Sequence, residues 1–389
     1  PYTRLLGGDG MRIEVDSRDH TVYSGYQFGH YYRISKNGKR KYIHPMPDLK
    51  EPHLRWNWQT PILLSSHNQD IMYMGSNKLH RSMNNGEQFS ELSNDLTLGA
   101  KTGDVSYGTI THISESPLKF GLLYVGSDDG VIQRSKDGGN SWVDVTGSLP
   151  KSLWVKRVLG SRHNEGRVYA ILNGHNWDHF DSYIYCSDDF GDSWNRIGKT
   201  LPAESVNVII EDTKNENTLY IGTDAGLYIS TNQGEDFEVF SGLPIVPVHD
   251  LAIQDESYDL VVATHGRSLF KVQLEPLNSY EKNKSDFILL KPQDVVWKSN
   301  WGEKSYNWET IKPKIELSLF TPYNDDVTCT LTDSLENEIA SETFKVEKGF
   351  NTIDFVLFDS DVNLYPSKGE HSINCAQNYN QTSVKFQVK

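Results

Sequence analysis

Ser135-Lys136-Asp137-Gly138-Gly139-Asn140-Ser141-Trp142 is the stretch that decides how the chain is read. A serine is followed by an acidic residue at +2, a glycine at +4 and an aromatic at +7. The same spacing returns at Ser187-Asp188-Asp189-Phe190-Gly191-Asp192-Ser193-Trp194. It returns again, with Asn and Phe as substitutes, at Ser82-Met83-Asn84-Asn85-Gly86-Glu87-Gln88-Phe89 and at Ser230-Thr231-Asn232-Gln233-Gly234-Glu235-Asp236-Phe237. Asp or Asn accepts hydrogen bonds from its own downstream backbone and closes a turn. Glycine takes the positive-φ position without steric cost. The aromatic ring then packs back over the turn as the next strand begins. Four copies in one chain make chance a poor explanation. The pattern is read as structure, with no chemistry of its own.

Working outward from these turns, a period of roughly 40–55 residues emerges, the length of one four-stranded propeller blade. Each repeat opens on an apolar strand: Arg12–Asp16, Pro61–Ser65, Thr109–Ile113, Val155–Leu159, Val206–Ile210 and Val248–Ile253. A tyrosine-bearing strand follows in most: Thr21–Gly25, Ile71–Gly75, Leu122–Gly126, Arg167–Ala170 and Thr218–Gly222, with Leu260–Thr264 in the last. Such β-branched, half-buried segments bounded by turn residues read as strands. The opening strands are expected to line a central channel, and the tyrosine strands to sit in mid-blade against the neighbouring blade. The prediction is an all-β propeller of six or seven blades over residues 1–275, a seventh being incomplete. The first repeat carries only a plain turn at Ser35-Lys36-Asn37-Gly38. The sixth, Ala263-Thr264-His265-Gly266-Arg267-Ser268-Leu269-Phe270, has no such box.

Residues 276–286 are polar and read as a linker. Beyond them, Ile315–Leu319, Val327–Leu331, Thr352–Val356 and Val384–Val388 alternate with period two. This predicts an Ig-like antiparallel sandwich over 287–389. Cys329 and Cys375 lie within it; they bridge if the protein is exported, or stay as unpaired strand cysteines, and spacing alone leaves both open. Trp297, Trp301 and Trp308 cluster where this block begins and are expected to pack the domain junction rather than to bind ligand.

The net charge of −14 over 389 residues repels phosphate backbones, so nucleic acid is not expected as a partner. No apolar run approaches the roughly 18 residues of a membrane span. No signal peptide is visible, and the chain opens on Pro1-Tyr2-Thr3 rather than on methionine, as a processed or truncated piece of a longer protein would.

The repeated turns resemble the Asp-box, or BNR repeat, of sialidase-like, sortilin-like and xyloglucanase-like β-propellers. Residues 1–275 are similar to secreted bacterial BNR-repeat proteins labelled as glycosyl hydrolases or as sortilin-like (VPS10-type). The segments that carry this are Gly7-Gly8-Asp9-Gly10, Trp56-Asn57-Trp58-Gln59-Thr60-Pro61-Ile62, Tyr124-Val125-Gly126-Ser127-Asp128-Asp129-Gly130, Val246-Pro247-Val248-His249-Asp250-Leu251 and Thr264-His265-Gly266-Arg267. The resemblance implies a secreted or cell-surface bacterial protein that binds or degrades glycans at the mouth of the channel. Its alternative is a sortilin-like protein-binding scaffold within a larger surface complex, without catalysis. It also implies a second propeller, N-terminal to this one in the same protein, as a partner. No cofactor is implied.

On that reading the site residues are those at the channel mouth. Asp9 and Asp250 are the candidate catalytic carboxyls. Glycoside hydrolysis uses two carboxyl groups, about 5–5.5 Å apart for retention and about 6.5–9.5 Å for inversion. The alternative is that Asp9 only shapes a Gly-Gly-Asp-Gly turn and Asp250 only caps a strand. Trp56, Trp58, Tyr107 and Trp154 are candidate sugar platforms; Lys156, Arg157, Asn207, His249 and Arg267 are candidate polar contacts. Arg267 is read either as an anion clamp or as part of a closure turn. The loop Asn173–Asp181 offers His175, Asp178, His179 and Asp181 as possible metal ligands, but reads more simply as a polar surface loop. No metal site is assigned. No sialidase arginine triad and no Phe-Arg-Ile-Pro segment is visible, and Gly-x-Ser-x-Gly is absent, which speaks against a sialidase and against a serine hydrolase of that type.

Overall fold

The computed structural model of the chain describes residues 4–47, 51–240, 243–275, 287–358 and 365–389. The expected linker, 276–286, lies outside them. The described residues form strands and turns, with one short 3-10 turn at His175–Trp177. The predicted all-β propeller is present as five four-stranded antiparallel sheets and one three-stranded sheet, each in plain chain order. Six blades are thus found among the described residues, the lower of the two expected counts. Their innermost strands are Ile13–Val15, Ile62–Leu64, Ile110–Glu115, Trp154–Gly160, Val206–Glu211 and Val248–Gln254.

The spacing Tyr-x-Gly in mid-blade has a packing cause. Tyr23, Tyr73, Tyr124, Tyr169 and Tyr220 are all buried. A buried phenol needs a partner. Tyr73 donates to Glu115 at 3.0 Å and Tyr169 to Glu211 at 3.2 Å, each carboxylate standing at the end of the next blade's inner strand. Ser65 and Ser161 donate to the same two carboxylates at 2.5 and 2.8 Å. Gly75, Gly126 and Gly222 follow two residues after Tyr73, Tyr124 and Tyr220. A Cβ on them would collide with Ile110, Val155 and Val248 of the neighbouring inner strand. The motif therefore encodes close blade-to-blade contact.

The four Ser-x-Asp/Asn turns share one hydrogen-bond pattern. Ser135 Oγ donates to Asp137 at 2.8 Å and accepts from the Gly139 N–H at 2.8 Å, while the Ser141 N–H donates to Asp137 at 2.9 Å. The serine, carboxylate or amide, and glycine of the other three repeat these bonds at 2.7–3.0 Å. The plain turn of the first repeat keeps one of them, Ser35 Oγ to Asn37 at 2.6 Å. The aromatic ends each turn on the preceding blade: the Trp142 indole donates to the Leu92 carbonyl at 3.0 Å and that of Trp194 to Val145 at 2.7 Å. An arginine from the preceding blade reaches each of these turns, three of them at a backbone carbonyl and the fourth, by Arg167, at the Gln233 side chain. Arg33 donates to the carbonyl of Asn85, Arg81 to that of Gly138 and Arg134 to that of Phe190. Arg33, Arg81 and Arg134 each sit in register with the mid-blade tyrosine of their own sheet.

The chain divides into two compact units, one of Pro1–Glu238, Val246–Ala252 and Val262–Leu269, the other of Val239–Ile245, Ile253–Val261 and Phe270–Lys389. The second holds the sandwich. One of its sheets orders Ile288–Leu289, Lys314–Thr321 and Gly349–Val356; the other orders Glu338–Val346, Asp325–Thr332, Gly369–Gln377 and Asn380–Val388. Their core includes Leu317, Leu319, Leu331, Phe355, Ile373 and Phe386. Cys329 and Cys375 stand directly opposite in neighbouring strands and form a disulfide. Trp301 is part of this core and Trp297 packs against it, whereas Trp308 is exposed, so the expected shared role of the three is corrected: two of them serve the sandwich's own core and Trp308 is not buried.

Candidate functional site

Successive side chains of a strand point to opposite faces. In the innermost strands one set therefore turns toward the axis. A cavity of about 700 Å³ lies there, lined by residues of all six innermost strands and entirely within the first compact unit. Its aliphatic wall includes Ile62, Leu64, Ile113 and Ile210. Its polar groups include Arg12, Glu14, His112, Lys156, Arg157, Asn207, His249 and Asp250.

Arg157 is the hub of this set. Its Nη2 donates to Asp250 at 3.0 Å, its Nη1 to the Ile209 carbonyl at 3.2 Å, and its Nε to His112 Nε2 at 3.3 Å. A guanidinium has only donors. His112 Nε2 is thus the acceptor, and the ring proton sits on Nδ1. Burial, reinforced by the charges of Arg157 and Arg12, pushes His112 well below the usual histidine range, so the ring stays neutral. Arg12 lies 3.9 Å from the other oxygen of Asp250, joining the first inner strand to the last.

Burial raises Glu14 to about 7, with the nearby Asp250 adding to the rise and Arg12 and a hydrogen bond from the Leu64 backbone opposing it. Lys156 is lowered, chiefly by burial and next by Arg12. His249 is lowered by burial and by Lys156. The arrangement combines one carboxyl that keeps its proton near neutrality with a second carboxylate fixed by arginine, inside a partly apolar cavity.

The residues expected at the site divide into two groups. Lys156, Arg157, Asn207, His249 and Asp250 line the cavity. Asn207 is further tied to Asp224 at 2.8 Å, and His249 tilts against His265 with ring centres 5.3 Å apart. Asp9 is not among the lining residues; it is exposed and accepts from the Gln27 amide at 2.5 Å. Trp56 is a core residue, packed with Ile43 and Ile62 and stacked on His80. Trp58 is exposed, edge-on to Phe28. The Tyr107 ring carries the Lys101 ammonium at 4.0 Å and its hydroxyl is buried. Trp154 is half-buried at the start of its strand, opposite Asn173. Arg267 is exposed on the turn made by Gly266 at φ 79°. In the His175–Asp181 loop Trp177 and Phe180 are exposed, and among the described residues no group of three His, Cys, Asp or Glu side chains could hold a metal.

Arg12, Glu14 and His112 were not singled out from the sequence. Their signal is the polar residue set between apolar ones in an innermost strand, as in Arg12-Ile13-Glu14-Val15 and Thr111-His112-Ile113. An ion, carboxyl or imidazole in that position faces either the channel or the next blade, and alternation alone does not say which.

No protein-family model matches the chain. A stretch of 164 residues, 42% of the chain, is 31% identical to a xyloglucanase of Hypocrea jecorina (strain QM6a) and spans 17% of that protein. Among solved structures, the GH74 xyloglucanase of Xanthomonas campestris is matched over 79% of this chain and 50% of its own, at 14% identity and a TM-score of 0.53. PorZ, a surface component of the type-IX secretion system of Porphyromonas gingivalis, is matched over 99% of this chain and 53% of its own, at 12% identity and a TM-score of 0.51. The chain thus corresponds to about half the length of these two structures. At such identities the structural likeness speaks for the fold, an all-β propeller followed by a sandwich.

Proposed function

We propose that this chain is a glycan-binding or glycan-degrading propeller of the Asp-box type, secreted or held at the surface of a bacterial cell, which takes its ligand at the mouth of the central channel. The observation that carries this reading is the 31% identity to a xyloglucanase over 164 residues. The cavity supports it, being within the usual size of a small-ligand site. Asp250 keeps the catalytic role expected of it. We assign the second carboxyl to Glu14 rather than to Asp9, because Glu14 shares the cavity with Asp250. A carboxyl that holds its proton to about 7 suits a general acid. Trp58, exposed beside the inner strand Ile62–Leu64, is the aromatic platform of this proposal.

A second reading, binding without cleavage, is favoured by the ion pair between Arg157 and Asp250, which occupies one oxygen of that carboxylate. Secretion is supported by the Cys329–Cys375 disulfide, since such bonds persist in oxidising compartments. Among the described residues no helix is long and apolar enough to cross a membrane. A further propeller of the same protein is proposed as a partner because the matched structures are about twice as long as the matched region.

The test is a panel of neutral and acidic polysaccharides, read for binding by calorimetry and for cleavage by released reducing ends. Cleavage by the parent that is lost in Glu14→Gln and in Asp250→Asn establishes the enzymatic reading. Binding without release establishes the second. Failure to bind or cleave any polysaccharide overturns the proposal.

A further inference from the structure

The chain as a whole is acidic, at −14, yet its central cavity is lined by four cationic side chains, Arg12, Lys156, Arg157 and Arg162. These cations are not equally engaged. Arg157 spends its donors on Asp250, on the Ile209 carbonyl and on His112. Arg12 stands 3.9 Å from Asp250, beyond hydrogen-bonding reach. Lys156 forms no hydrogen bond or ion pair among the described residues, and it is half-buried. The acidic groups around them are Asp250, already bound to Arg157; Glu14, which keeps its proton to about 7; Glu115, which accepts from Ser65 and Tyr73; and Asp224, exposed and joined to Asn207. A partly buried cation that makes no direct ion pair is incompletely compensated for its lost hydration. An ammonium kept in that state beside a second cation with donors to spare is complementary to an anion supplied from outside.

Building on the glycan reading above, we propose that the channel selects acidic glycans, the anionic substituent of one sugar residue, a carboxylate or a sulfate, docking between Lys156 and Arg12. The aliphatic wall of the cavity receives the ring, and His249, which lines the cavity with Lys156, borders the same pocket. Binding neutralises the two cations, so it is stronger for charged than for neutral sugars and weakens with salt.

The experiment is calorimetric titration of the full chain with size-matched oligogalacturonate, dextran sulfate and neutral xyloglucan oligosaccharides, at low and at moderate salt. Expected is a preference of about tenfold or more for at least one of the two anionic probes over the neutral one, declining as salt rises. Oligogalacturonate as the preferred probe identifies the substituent as carboxylate, and dextran sulfate identifies it as sulfate. Lys156→Gln and Arg12→Gln each reduce the preference about tenfold, while Lys156→Arg, which keeps the charge, retains it. Lys156→Arg also guards against a misfolded Lys156→Gln protein being read as loss of the site. Neutral oligosaccharides bound as tightly as anionic ones, or a preference that survives both charge-removing variants, overturn this inference and leave the glycan reading standing. Binding of none of the three overturns both.

Discussion

Glu14 shows what the channel does to a single side chain. Set in an innermost strand between the apolar Ile13 and Val15, its carboxyl faces the cavity and holds its proton to about 7, mainly because burial penalises the charged form. The sign of the consequence follows from proton binding. Between about 4.5 and about 7 the folded protein binds more protons at this site than the unfolded chain, so this residue's contribution to stability falls as pH rises through that window. Glu14→Gln cannot ionise. We therefore expect its melting temperature to exceed the parent's by a margin that widens from pH 5 to pH 8; a margin independent of pH would refute the assignment. Gly126 shows the opposite kind of constraint. A methyl there meets Val155 of the next blade, so Gly126→Ala is expected to cost about 1–3 kcal/mol through overpacking, measured by denaturant unfolding.

Among the elements, the Ser-x-Asp/Asn turn is the most informative. Ser135 is buried and its hydroxyl donates one bond, to Asp137, and accepts two, from the Asp137 and Gly139 N–H groups. Ser135→Ala leaves the Gly139 N–H without its acceptor and is expected to cost about 1–3 kcal/mol. Two of the four turns carry Asn where the others carry Asp, and Asn84 and Asn232 accept the same backbone N–H bond at 3.0 Å. Asp137→Asn should therefore lower the melting temperature less than Asp137→Ala; equal losses would show that the charge, rather than the acceptor geometry, holds the turn. Side-chain and backbone donors from Ser141 and the Ser135 hydroxyl hold Asp137 down to about 2, so its support is present at neutral pH and is lost only as pH falls toward that value. The arginines that reach these turns, Arg33, Arg81, Arg134 and Arg167, belong to the preceding blade. No local spacing within a turn announces them. The aromatic residues show a similar limit: Trp56 and Trp58 are two positions apart, yet Trp56 is in the core and Trp58 is exposed. Residue type suggests a sugar platform equally for both.

For the molecule as a whole, the disulfide of the sandwich and the free thiol of the propeller give a clean comparison. Cys186 is buried and its thiol is pushed up to about 12 by burial, with Asp188 adding to the rise, so it is unreactive. Cys329 and Cys375 close a loop of 46 residues. Replacing both with alanine, or reducing the protein, should destabilise the sandwich by about 2–5 kcal/mol. Calorimetry with and without reductant would show one unfolding transition moving; no movement would mean that the bond adds nothing to the sandwich. From the sequence alone came the blades, their turns, the tyrosine-bearing strands and the alternating strands of the sandwich, because turn chemistry and strand periodicity are written in residues a few positions apart. The pairing of Cys329 with Cys375, the meeting of Arg12 and Arg157 at Asp250, and the placing of Glu14 rather than Asp9 beside that carboxylate were decided only by the tertiary structure. Closing six sheets around an axis brings together residues as far apart in the chain as Arg12 and Asp250, and no local pattern specifies which faces will meet.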